Sequence, residues 1–304
     1  MPTPPSPATP ADPPAEDLSM YEAFYGLDRP PFTGPTGDES VYQASAQQDA
    51  LGRLRYAVER RLPFAVLVGE AGVGKSVLAD RLAGQLRQAG HRWAHLTYPL
   101  LEPASLLAYL AREWAGDASD APAPPERQVR ALRDLFAGEA TDGPATVLLI
   151  DDAHLIERHT AEPDRVWETL RLLTGLAGPR RPSLTCLLVG RTVLLPGLQG
   201  VAALADQLDV ACVLRPFDEA ETAAYVSHRL TAAGASRSLF DAAALAAIHR
   251  WTGGVARRID RLADLALLVG YSEEWHRIGG PQIDAVAADL AGRPFGEAAP
   301  TPLG

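Results

Sequence analysis

Gly69-Glu70-Ala71-Gly72-Val73-Gly74-Lys75-Ser76 is the stretch whose reading decides the fold. Its outer glycines and its Lys-Ser pair match G-x-x-x-x-G-K-[S/T], in which backbone N–H groups wrap phosphates while the lysine reaches the terminal ones. The surroundings have to agree before such a match means anything. Ahead of it, Phe64-Ala65-Val66-Leu67-Val68 is an unbroken apolar run, the pattern of a strand buried on both faces of a parallel sheet. Behind it, Val77, Leu78, Leu82 and Leu86 recur at helical spacing until Gly90, a helix-ending glycine. Strand, loop and helix thus come in the required order, and the dipole at the helix N-terminus would face the phosphates. The spacing predicts a nucleotide site made of Gly69, Glu70, Ala71, Gly72, Val73, Gly74, Lys75, Ser76 and Val77.

A second stretch supports the first. Val147-Leu148-Leu149-Ile150-Asp151-Asp152 is four apolar residues ending in two carboxylates. That is a buried strand presenting acids at its C-terminal edge, where open α/β sheets bind ligands. Beside a phosphate loop, Asp151 is expected to hold magnesium and Asp152 to polarise an attacking water. On its own, the pair would read equally well as an acidic turn after an ordinary strand.

The remaining periodicities fill in the frame. Strands are expected at Trp93–Thr97, Leu184–Val189 and Val210–Leu214, with helices at residues 44–62, from Pro103, at Glu126–Phe136 and at Asp164–Leu176. Five strands with intervening helices predict a doubly wound parallel sheet. After Phe217 the strands cease, and four amphipathic helices separated by Gly234, Gly253-Gly254 and Gly279-Gly280 form a small all-helical second domain. The expected organisation is a disordered Pro-rich tail (1–18), a nucleotide-binding domain (19–215), a helical domain (216–291) and a flexible tail (292–304). The aromatic cluster Met20–Leu27, Phe32 and Tyr42 needs a surface to cover. Two readings stay open: packing on the flank of the sheet, or covering the base of a nucleotide.

Composition sets outer bounds. The chain has 304 residues, 47% of them hydrophobic, enough for a substantial core. A net charge of −10 argues against a large nucleic-acid footprint. Cys186 and Cys212 sit inside apolar runs, which suits buried thiols in a reducing compartment. No apolar run approaches the roughly 20 residues that span a bilayer, so direct membrane insertion is not expected and a cytoplasmic location is. No paired-histidine or cysteine spacing supports zinc.

Taken in order, these motifs resemble the AAA+ ATPases of the ExeA/GspA (general secretion pathway protein A) kind, over about Met20 to Leu290. The resemblance is carried by Met20–Leu27, Pro31-Phe32 and Tyr42, by Gly69–Ser76, and by Asp151-Asp152-Ala153-His154. It continues through Leu214-Arg215-Pro216, Glu221-Thr222, Tyr225-Val226 and Arg229-Leu230, and ends at Gly254-Val255-Ala256-Arg257-Arg258-Ile259-Asp260. It implies a P-loop NTPase sheet ordered 5-1-4-3-2 with a helical lid and ATP between them. Lys75 would then contact the β- and γ-phosphates, Ser76 and Asp151 would hold Mg²⁺, and Arg257 would be a lid arginine sensing the γ-phosphate. Asp152 stands where the family has glutamate, Arg191 stands where it usually has glutamine, and Ala205-Asp206-Gln207-Leu208 lacks the family's arginine. The expected function is an ATP-driven switch with weak hydrolysis, acting on an unidentified protein partner and compatible with a homo-oligomer. The alternatives are a non-hydrolysing ATP-bound scaffold and a transposition-type helper ATPase that binds DNA.

Overall fold

The computed structural model describes residues 20–33, 42, 44–115, 124–137, 143–160, 162–176 and 184–292. The N-terminal tail, most of the segment from Gly116 to Pro125 and the last twelve positions lie outside the described residues. Five parallel strands form one sheet: β1 (Phe64–Gly69), β2 (Arg92–Leu96), β3 (Thr146–Ile150), β4 (Thr185–Gly190) and β5 (Leu208–Leu214). Their spatial order is β2-β3-β4-β1-β5, which from the other edge is the expected 5-1-4-3-2.

Around the sheet lie α2 (Ser45–Glu59), α3 (Lys75–Gln88), α4 (Pro103–Ala115), α5 (Pro125–Ala137), α6 (Leu155–His159), α7 (Pro163–Thr174), α8 (Leu194–Gly200) and α9 (Ala202–Ala205). The unbroken apolar run of β1 is explained by its two faces. Phe64, Val66 and Val68 pack with Leu110, Leu132, Trp167 and Leu194 on one side. Ala65 and Leu67 pack with Leu54, Val58, Leu78 and Leu82 on the other. Burying such a side chain contributes roughly 1.5–3 kcal/mol, so both layers hold the central strand in place beneath its loop. β5 is the edge strand and alternates: Val210, Cys212 and Leu214 are buried, whereas Val213 is 61% exposed. It begins at Leu208, two residues before the apolar run suggests.

The helical unit comprises α10 (Glu219–Ala232), α11 (Ala242–Thr252), α12 (Ala256–Ser272) and α13 (Gly280–Gly292). Asp218 and Glu221 form a reciprocal cap at the start of α10, and Arg215 grips Glu221 with two hydrogen bonds of 2.6 and 2.9 Å. Val226, Phe240, Ile248, Ile259 and Leu267 make its core. The N-terminal helix α1 (Met20–Tyr25) and the turn after it join this core and not the flank of the sheet. Tyr21 Oη donates to Asp264 (2.6 Å), and Arg29 donates to the Ala232 carbonyl (2.7 Å). The buried Arg229 donates to the carbonyls of Pro31 (2.6 Å) and Thr33 (2.9 Å).

Candidate nucleotide site

The loop between β1 and α3 is shaped by its glycines. A side chain on Gly69 would bring Cβ to 2.5 Å from the Leu214 carbonyl, so the first motif position must be bare. Gly72 and Gly74 adopt φ of +88° and +97°, the left-handed region open to glycine. Lys75 opens α3 and is 9% exposed; its Nζ donates to the carbonyls of Gly69 (3.1 Å) and Glu70 (2.7 Å). Burial lowers its pKa, opposed by Asp152 and Asp151 and reinforced by Arg191 and Arg257. Val73 turns the other way and is buried in the core below the loop. Ala71, Gly72, Gly74, Lys75, Ser76 and Val77 line the cavity.

The acids sit directly opposite. Asp151 is fixed through both carboxylate oxygens, accepting from Ser76 Oγ (3.1 Å) and from the Asp152 amide (2.8 Å). The Asp151 amide donates to Leu96 and the Ala153 amide to Val189, so the turn after β3 is tied to the strands on either side. Asp152 occupies that turn at φ +47°, and its side chain is 60% exposed. His154 Nδ1 lies 3.8 Å from the Asp152 carboxylate, and burial holds the ring's pKa below the usual 6.5, leaving it neutral near pH 7.

The helical unit closes the site from above. The Arg257 amide, at the start of α12, donates to the Gly72 carbonyl (3.0 Å), which joins the helix directly to the crest of the loop. Between the two lies a cavity of about 670 Å³. One end carries Lys75, Ser76, Asp151, Asp152, Arg191 and Arg257; the other carries Phe32, Tyr42, Phe217 and Tyr225. Tyr42 meets Phe217 and Tyr225 edge-on, at 5.7 and 5.9 Å between centroids. Of the two readings open for the aromatic segment, the geometry favours a wall of the cavity.

Several lining residues were not legible as site residues in the sequence. Gln47 comes from α2, with Nε2 3.6 Å from where a Cβ on Gly74 would lie. Tyr225 donates to Asp260 (2.7 Å) on the lid side, and burial raises the pKa of both groups. Tyr225 and Asp260 belong to the segments that carry the resemblance, so the signal was present without a role attached. Ser76 and Asp151 offer hard oxygen ligands, the set Mg²⁺ takes when phosphates complete its shell. Among the described residues no group of three or more His, Cys, Asp or Glu side chains could hold a metal alone.

A family model described as an AAA domain matches residues 59–197. General secretion pathway protein A of Aeromonas hydrophila is 30% identical over 276 residues, 90% of this chain. This chain belongs to the AAA+ ATPase family, related to that protein. It spans 49% of its relative's length. The AAA+ fold recurs in Drosophila ORC bound to DNA (TM-score 0.66, 16% identity, covering 96% of this chain and 71% of that one). It recurs in Cdc6p from Pyrobaculum aerophilum (0.62, 13%, 90% and 73%) and in the RuvB branch migration motor of Thermotoga maritima (0.55, 17%, 85% and 73%). Among the described residues no helix of this AAA+ chain is long and apolar enough to cross a membrane.

Proposed function

We propose that this AAA+ chain binds ATP with Mg²⁺ between loop and lid and works as a switch whose lid position reports the nucleotide to a protein partner. The observation that carries this reading is the hydrogen bond from the Arg257 amide to the Gly72 carbonyl, because any rearrangement of the loop around phosphates must move the lid. Lys75 and the loop amides take the phosphates, Ser76 and Asp151 hold the metal, and the aromatic end takes the base. Bound ATP with Mg²⁺ supplies the scissile terminal phosphate. Asp152 is the acid placed to orient water there, and His154, neutral and beside it, limits where its carboxylate can swing. The shorter acid makes hydrolysis slow, since a displacement of about 1 Å can cost on the order of a hundredfold. A cytoplasmic setting and a role beside a secretion apparatus follow from the relative's name and belong to this reading.

Steady-state phosphate release from the purified chain, compared with Lys75→Ala and Asp152→Asn, tests it. Slow release that both substitutions abolish is expected. ATP binding without release above the Lys75→Ala background would favour the scaffold reading. The DNA-bound state of the Drosophila neighbour raises a DNA-helper role, against which stands the net charge of −10. ATP-dependent, salt-sensitive DNA retention would establish it.

A further inference from the structure

Arg191 lies at the phosphate end of the cavity with no role in the reading above, although the inference drawn from it rests on that reading. β4 ends at Gly190, which stands in register with Val68 of β1, so Arg191 emerges beside the first residues of the phosphate loop. On its other side, the Ala153 amide is bonded to Val189, placing the turn that carries Asp152 against the same strand end. The position is constrained. A side chain on Gly190 would come within 3.0 Å of Leu194 Cδ2 and 3.3 Å of the His154 amide nitrogen, and the Arg191 carbonyl accepts from Leu194 at 2.9 Å.

The backbone is therefore pinned while the guanidinium lines the cavity. Among the described residues its side chain makes no hydrogen bond and no ion pair, unlike Arg215 or Arg229, whose guanidinium groups are engaged. Its charge nonetheless reaches both sides of the site, disfavouring protonation of Lys75 and of His154. An unpaired cation held at the edge of a strand, between an acid pair and a phosphate loop, is a site for added negative charge. Its place on the far side of Lys75 from the aromatic end is the place of the last phosphate.

We infer that Arg191 is the intramolecular arginine of this site: it faces the terminal phosphate of ATP, tells ATP from ADP, and makes the phosphate end complete within one chain. A guanidinium contributed in this way acts where negative charge develops as water cleaves ATP to ADP and inorganic phosphate, consuming one water and releasing about one proton near neutral pH. No arginine from a second copy is then needed, in keeping with its absence from Ala205-Asp206-Gln207-Leu208.

The test is calorimetric titration of the full chain with ATP and with ADP, for the wild type, Arg191→Gln, Arg191→Lys and Lys75→Ala, alongside turnover per chain over a wide range of protein concentration. Arg191→Gln is expected to weaken ATP binding by about ten- to a hundredfold. Its ADP affinity should stay within about twofold of wild type, and Arg191→Lys should fall between the two. Turnover should fall by roughly 10³ in Arg191→Gln and be independent of concentration in the wild type. The inference is overturned by equal losses for ATP and ADP, by no loss, or by turnover per chain that climbs with concentration. If Lys75→Ala loses ATP while Arg191→Gln keeps it, only the role of Arg191 falls; if the wild type binds neither nucleotide, the ATP reading falls too.

Discussion

Replacing Gly72 with alanine perturbs loop and lid together, and Gly90→Ala supplies a matched control. Both glycines have positive φ, +88° and +83°, so each alanine incurs about 1–2 kcal/mol of left-handed strain. Around Gly90 there is nothing within 4 Å for the new methyl to meet. At Gly72 it would lie 2.9 Å from Arg257 Cβ and 3.1 Å from Val255 Cγ1, too close for either to stay where it is. The start of α12 must retreat, weakening the bond from the Arg257 amide to the Gly72 carbonyl, worth about 1 kcal/mol. Gly72→Ala should therefore cost about 2–3 kcal/mol against 1–2 for Gly90→Ala. At about 2–4 °C per kcal/mol for a domain of this size, Tm should fall by roughly 4–12 °C and 2–8 °C respectively. The decisive measurement is ATP affinity by titration calorimetry: about tenfold weaker for Gly72→Ala, the equivalent of some 1.4 kcal/mol, and unchanged for Gly90→Ala. Equal ATP affinity in the two variants would refute the claim that lid and loop are coupled through this contact.

Three further outcomes follow from the same geometry. Asp152→Glu restores the missing methylene and should raise steady-state phosphate release by on the order of tenfold to a hundredfold; an unchanged or slower rate would show that acid length is not the limitation. Arg229→Met removes the bonds to the Pro31 and Thr33 carbonyls and should destabilise the chain by about 3 kcal/mol, read as a lower Tm; a shift under about 1 °C would refute the pinning argument. His91, His154 and His228 all have pKa values pushed below 6.5, chiefly by burial. The unfolded chain then takes up protons near pH 6.5 that the fold resists, so stability is full above that pH and falls as pH drops below it. Urea midpoints at pH 7.5, 6.5 and 5.5 should show this decline, less steep in His154→Gln; parallel declines would exclude His154 as a contributor.

The legible parts of the fold were those whose environment repeats along the chain. β1, β3 and β4 lie between two helical layers, so every position is apolar, and the runs at Phe64, Val147 and Leu184 announce them. β5 has one neighbour and an exposed face, so its polar start at Leu208-Asp209 gave no such signal. α8 contains Pro196 between two leucines and two glycines, a composition that reads as a loop; packing of Leu194 and Leu198 against the sheet makes it helical. The phosphate loop and the acid pair were legible because adjacent residues carry the chemistry. The cavity's other walls were not. Gln47, Arg191, Tyr225 and Asp260 come together from α2, the end of β4, α10 and α12, and no local spacing encodes that meeting.

The attachment of α1 to the lid has a consequence for synthesis. Tyr21 is bonded to Asp264, 243 positions later, and Tyr25 Oη donates to the Trp275 carbonyl, 250 positions later. At about 5–20 residues per second, the first described helix leaves the ribosome roughly ten to fifty seconds before the groups it packs against exist. Until then Tyr25, Leu27 and Phe32, all nearly fully buried in the finished chain, have no lid to cover them. The sheet can assemble during that interval, but the aromatic wall of the cavity cannot. The nucleotide site is thus among the last parts of the molecule to form, and a chain released before Trp275 would carry a phosphate loop with one side left open.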